Sequence, residues 1–195
     1  MDTNKQLEKS IRKEIRDWSK HSLEKANENY NGFPACPYAA KAWIDNKVDI
    51  QFKYDLSPEK LYENISHYND KYELIILVDL EYELEPDRFH GYLEGINEAI
   101  SNDAFHDKDI YVMGFHPEDD TNEIIESDSF KTEVDDVYSM IFIQRLSLLE
   151  RASEKLRSKG YYNRTYGNYK VDEILQKRNR LFRRLTWQKE QRKRA

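Results

Sequence analysis

Apolar positions along the chain change their spacing several times, and each change marks an element. Over residues 3–29, Leu7, Ile11, Ile15, Trp18 and Ala26 share one face at helical spacing, which predicts a long first helix. Asn31-Gly32 breaks that pattern and Pro34 keeps the chain extended. Pro37 suits a first helical position, so a short helix is expected from there. Val48, Ile50, Phe52 and Tyr54 alternate with other residues and predict a strand over 48–54. Ser57-Pro58-Glu59 then opens a helix with serine as N-cap.

Residues 72–80 (YELIILVDL) form a nearly continuous apolar run, the pattern of a strand covered on both faces. Glu85-Pro86-Asp87 starts a further helix whose stripe is Phe89, Leu93, Ile96 and Ile100. Residues 109–115 read as a third strand. The acidic stretch 118–133 has no clear period and reads as a loop. Tyr138, Phe142, Leu149, Ala152 and Leu156 predict a long helix over 134–159 that Gly160 ends. A tyrosine-rich turn follows (Tyr161, Tyr162, Tyr166, Tyr169). The last helix begins near Val171 with Ile174, Leu175, Leu181, Phe182 and Leu185 inside. Strand–helix–strand–helix–strand order argues an α/β fold: a small, mostly parallel three-strand sheet packed by helices, with long helices at both ends.

Composition adds four constraints. The hydrophobic share is modest at 38%, but 14 tyrosines raise the aromatic share to 13%, enough to build a core. The longest wholly apolar run, Leu74–Val78, is too short to span a bilayer, and the charged first residues lack the apolar core of a signal peptide. One cysteine, Cys36, allows no internal disulfide, and a cytoplasmic location is expected. Charge is unevenly spread. Residues 176–195 hold nine basic and one acidic residue, which leaves about −14 for the rest of a chain whose net charge is −6. A single domain over 1–175 with a basic helical extension over 176–195 is therefore expected. General nucleic-acid binding is disfavoured except through that extension, where Phe182 and Trp187 interleave with arginines. The alternative there is that the extension docks on the chain's own acidic body or is a solvated helix end.

Candidate chemistry centres on two proline steps, Cys36-Pro37 and His116-Pro117. A cysteine at a helix start meets free N–H groups and the positive end of the dipole, which favour a thiolate. His116 follows the third strand, at the edge where open parallel sheets bind ligands, and Asp79 ends the second strand at the same edge. Together these fit a thiol nucleophile, Cys36, with His116 as its base. The other readings are a packed apolar cysteine, a loop-capping histidine and a turn aspartate. A metal site would need Glu118, Asp119 or Asp120 to complete the set; the absence of His-x-x-x-His and Cys-x-x-Cys spacing argues against it, and no metal or cofactor is assigned. Arg145 falls on the apolar face of the expected long helix, so it needs either an internal carboxylate or an anionic ligand. His21, His67, His90 and His106 lie among polar residues and read as solvated.

The chain resembles the domain-of-unknown-function family 1415 over roughly residues 18–156. Trp18 lies in the first helix, and the family's Cys-Pro-aromatic-Ala step is matched by Cys36-Pro37-Tyr38-Ala39. Two strand–helix units follow, then Phe115-His116-Pro117 for the family's Phe-His-Pro, then Arg145 for an arginine in the next helix. After Pro117 the family tends to an Asn-Arg-Ser-Pro type segment, whereas this chain is acidic. The resemblance implies no established activity. Two readings of function follow. One is a small enzyme whose Cys36/His116 pocket takes a small anionic ligand through Arg145, with Asp79 and Tyr38 as further ligand contacts. The other is a non-enzymatic protein that binds a protein or RNA partner through its basic aromatic C-terminal helix.

Overall fold

A computed structural model describes residues 3–119, 138–163 and 171–194. Its centre is a mixed four-stranded sheet: β1 (Val48–Lys53), β2 (Leu74–Asp79), β3 (Tyr111–Phe115) and β4 (Ser139–Gln144), in the order β1-β2-β4-β3. β1 and β2 pair in parallel, from Val48↔Leu74 to Lys53↔Asp79. β4 runs antiparallel to both neighbours, pairing Leu74↔Gln144 to Asp79↔Ser139 on one side and Tyr111↔Gln144 to Phe115↔Met140 on the other. The α/β class is as expected. The three-strand, mostly parallel sheet is corrected: β1, β2 and β3 do run one way, but β4 separates β2 from β3.

The correction has a local cause. The expected helix over 134–159 is a strand and a helix joined at Arg145, with α5 covering Leu146–Ser158; residues 134–137 lie outside the described residues. Tyr138 and Phe142 are four apart, a spacing that places them on one face in a helix and equally in a strand. The run Met140-Ile141-Phe142-Ile143 is apolar on both faces, as a strand between two neighbours must be. Arg145 is extended (φ −73, ψ 126) and forms the N-cap residue of α5, so it does not sit on a helix face.

Alternation along the strands builds two cores. Ile75, Leu77, Val112, Ile141 and Ile143 face α3 (Glu59–Ser66) and α4 (Pro86–Ser101), meeting Leu61, Ile65, Phe89, Leu93, Ile96 and Ile100. Ile50, Ile76, Val78 and Met140 point the other way, onto Ile11, Ile15 and Trp18 of α1 (Thr3–Trp18). Fully burying one such side chain contributes about 1.5–3 kcal/mol before entropy is charged. β3 is an edge strand, and α4 satisfies part of its backbone: Asn97 donates to the Val112 carbonyl at 2.8 Å and accepts its N–H at 2.9 Å.

α1 continues as one π-helical turn over Ser19–Leu23 and then stops, short of the expected residue 29. Ala26 is exposed and pairs with Pro34 in an isolated bridge, with Asn31 (φ 55) and Gly32 (φ 80) in the left-handed region between them. The short helix expected at Pro37 is α2, Ala39–Ile44, with Tyr38 rather than Cys36 as its N-cap residue.

α6, Val171–Arg194, is continuous through the expected boundary at residue 176. Leu181 and Leu185 bury against Leu146, with Tyr111 and Phe182 packed around them. Its basic residues meet the acidic side of α4 and the turn after it. Lys177 pairs with Glu94, Arg184 with Glu98, and Arg192 with Asp103 and Asp107. Arg178 is buried against Glu150 of α5, at 2.6 Å. Part of the basic segment is therefore docked on the chain's own acidic body. Among the described residues no helix is long and apolar enough to cross a membrane. Of the expected tyrosine-rich turn, Tyr166 and Tyr169 lie outside the described residues, as does the acidic stretch beyond Asp119.

Candidate functional site

Polar residues line up where the parallel strands end. Lys53 of β1 pairs in register with Asp79 of β2, which pairs with Ser139 of β4. His116 stands one residue past the Phe115↔Met140 pair and extends that row toward β3. All four are buried, and alternation turns them toward the α3/α4 side. Neighbouring strands lie about 4.8 Å apart, so Lys53 to His116 is a short continuous row. Asp79 and His116 thus come to one edge, as their strand-end positions predict; Lys53 and Ser139 join them unannounced by any motif.

Each member of the row is held by the fold. Lys53 Nζ donates to both Asp79 carboxylate oxygens, at 2.8 and 2.9 Å. Asp79 also accepts the Glu81 N–H at 3.2 Å. His116 Nε2 bonds the Leu84 carbonyl at 2.9 Å, and Nδ1 accepts the Glu118 N–H at 3.2 Å, which places the ring proton on Nε2. Its ring packs edge-on to Tyr82 and tilted against Phe89. The Ser139 hydroxyl is buried with no hydrogen-bond partner among the described residues. A serine nucleophile needs a histidine nitrogen free to take its proton, and both His116 nitrogens are already engaged. On the α4 side of the row, burial pushes the Tyr92 phenol above its ordinary range, and Tyr62 and the Asp79 carboxylate add to that.

Cys36 belongs elsewhere. Its N–H bonds the Leu23 carbonyl at 2.9 Å, and Leu23 packs into the core on the α1 side of the sheet. His116 packs on Phe89, in the core on the other side. The thiol is partly buried, and its pKa is raised. Burial dominates; the N–H groups of Tyr38 and Ala39 oppose it, and the Glu24 charge reinforces it. The helix-start effect expected for a thiolate is present in those two N–H groups and is outweighed. Tyr38 is exposed.

Arg145 lies at the opposite edge of the sheet from the polar row. It follows Gln144, which pairs with Leu74 at the start of β2, five residues or roughly 17 Å of strand from Asp79. Its guanidinium pairs with Asp70 and lies 5.8 Å over the Tyr68 ring. Burial pushes the Tyr68 phenol up to about 12 against the opposing charge of Arg145. The single Tyr68 hydroxyl proton is shared between the Tyr72 and Glu73 carbonyls, at 3.1 and 2.9 Å, which fixes the ring beneath the arginine. The first turn of α5 forms the wall. Its N–H end is closed by Asp109, which accepts the Ser147 N–H at 3.0 Å. Beside this wall opens a cleft of about 450 Å³ lined by Lys47, Arg145 and Arg151, by Asp70, Tyr72 and Glu73, and by the exposed Leu148. Lys47, Arg151 and the two acids had no signal in the sequence, because three separate segments bring them together.

The remaining histidines are engaged at or near the surface. His90 bonds Asp119 at 2.7 Å, His67 bonds the Glu63 carbonyl at 3.0 Å, His21 meets Lys25, and His106 lies beside Asp103 and Asp107. Among the described residues no group of three or more His, Cys, Asp and Glu side chains is placed to hold a metal ion; Asp120 lies outside them. No protein-family model, curated protein or solved structure matches this chain.

Proposed function

We propose that the protein binds a small anionic molecule in the Arg145 cleft. One observation carries this reading: three cationic side chains and two carboxylates share one open cleft, a local positive surplus in a chain of net charge −6. Arg145 is the natural ligand contact. Its carboxylate partner, Asp70, is 87% exposed at the side chain, and such surface pairs are worth about 0–1 kcal/mol. A phosphate or carboxylate offering two oxygens to the guanidinium fork displaces Asp70 at little cost. Lys47 and Arg151 supply charge from either side, and Leu148 offers an apolar surface for the rest of the molecule. The volume falls in the range of small-molecule sites. Cys36 and His116 stand apart from the cleft, so the proposal concerns binding and assigns no reaction to them.

The test is thermal unfolding with inorganic phosphate at constant ionic strength. A ligand that binds only the folded chain raises its stability as RT ln(1 + [L]/Kd). The expected result is a saturable rise in Tm that Arg145→Ala and Arg151→Ala each remove. Asp70→Asn, which frees Arg145 of its competitor, strengthens it. A rise that does not saturate, or one that Arg145→Ala leaves intact, overturns the proposal.

A further inference from the structure

α6 has two cationic faces with different fates. Arg178, Arg184 and Arg192 turn inward with Leu181 and Leu185, and each meets carboxylates of the body. Arg180, Arg183, Trp187 and Arg194 follow at steps of three, four and seven residues, which aligns them in one stripe away from the Leu181–Leu185 seam. All four are exposed, Trp187 by 55%. At 1.5 Å per residue the stripe runs about 21 Å from Arg180 to Arg194. Beside its first half, a cleft of about 590 Å³ between α5 and α6 is lined by Arg157, Arg180 and Arg183 together with Glu150 and Glu154.

We propose that the outer face of α6 binds single-stranded nucleic acid. Arginines placed before and after an exposed indole along one line match a strand in which phosphates alternate with stackable bases. An acidic peptide satisfies the arginines and leaves the indole without a flat partner. The acidic body does not forbid this. Glu94, Glu98, Asp103 and Asp107 are already paired with the inner cations of the same helix. Screening over about 8 Å at physiological ionic strength hides most of the remaining charge from the outer face. The inner arginines thus dock the helix and clear the local field, and the outer arginines and Trp187 remain for a partner. This site is separate from the Arg145 cleft.

The experiment is fluorescence anisotropy with a labelled oligouridylate at several salt concentrations, using the full chain. Binding is expected at low salt. Its logarithm should fall with the logarithm of salt concentration by about 0.7 per neutralised phosphate, and Arg180→Ala and Arg183→Ala should each shrink that slope by about one such step. Trp187→Ala should weaken binding about fivefold or more with the slope unchanged. Arg145→Ala should change nothing. These positions are exposed, and circular dichroism checks that each variant folds. The proposal is overturned by no binding at low salt, by binding indifferent to Arg180, Arg183 and Trp187, or by a polyglutamate peptide that binds as tightly as the oligouridylate.

Discussion

Lys53 and Asp79 face each other across β1 and β2, with the Lys53 ammonium 2.8 and 2.9 Å from the two Asp79 carboxylate oxygens and both residues buried. A charge in that position is tolerable only because its partner is there. Asp79→Asn keeps the shape and strands the ammonium, so it should lower stability by about 3–5 kcal/mol in urea unfolding. Replacing both residues together, Lys53→Met with Asp79→Leu, should recover most of that loss. If Asp79→Asn unfolds at the wild-type midpoint, the pair is not the buried ion pair described.

Cys36 offers a test of the thiol's state. Burial raises its pKa, and the Tyr38 and Ala39 N–H groups recover only part of the shift. The folded chain therefore holds the thiol proton more tightly than the unfolded chain does. This contribution to stability is fully present below the ordinary thiol pKa and is lost as pH rises through the raised folded value. Cys36→Ala should accordingly lose less stability than wild type as pH rises above the ordinary thiol value of about 8.5. At neutral pH iodoacetamide should modify Cys36 at least about tenfold more slowly in the folded chain than in urea. Equal rates would return Cys36 to the list of reactive thiols.

Gly114 is held to glycine by packing. A Cβ there would lie 2.6 Å from Leu93 Cδ1 and 2.9 Å from Phe89 Cζ, both in the α4 core. Gly114→Ala should cost about 1–3 kcal/mol as overpacking, and Phe89→Leu in the same chain should return part of it. Chemical denaturation of the single and double variants reads the coupling. An additive pair would show that the two residues do not meet.

The docking of α6 separates apolar from ionic contributions. Leu185 is buried with Leu146 and Leu181, whereas the Arg184–Glu98 pair is partly exposed. Leu185→Ala should cost about 2–5 kcal/mol and Arg184→Ala no more than about 1 kcal/mol. The arginine variant should also be the one whose effect shrinks in high salt. The reverse ranking would mean that charge, not the apolar seam, holds the helix.

Particular elements show why some structure was legible and some was not. Ile75, Leu77 and Val78 sit in a run that only a covered strand accommodates, and the stripe Phe89, Leu93, Ile96, Ile100 has one period that only a helix satisfies. Tyr138 and Phe142 satisfy two periods at once, so the spacing that predicts a helix there fits β4 equally well, and Arg145 does not occupy the helix face that spacing gives it. Asp79 and His116 were legible as strand-end residues because strand ends share an edge. Their neighbours Lys53 and Ser139 were not, since register decides which residues stand side by side.

The sequence by itself determined the α/β class, most of the helices, three of the four strands and the uneven distribution of charge. These follow from periodicity and composition, which act over a few residues at a time. Only the tertiary structure decided that β4 enters between β2 and β3, that the Cys36 backbone bonds Leu23 beside the α1-side core, and that the His116 ring packs on Phe89 of the other core. It also set Arg145 in a cleft at the far edge from Asp79, and divided the cations of α6 between an inner docking face and an outer exposed one. The reason is physical: strand pairing, burial and ion pairing are satisfied by residues far apart in the chain, and no local pattern records which of them meet.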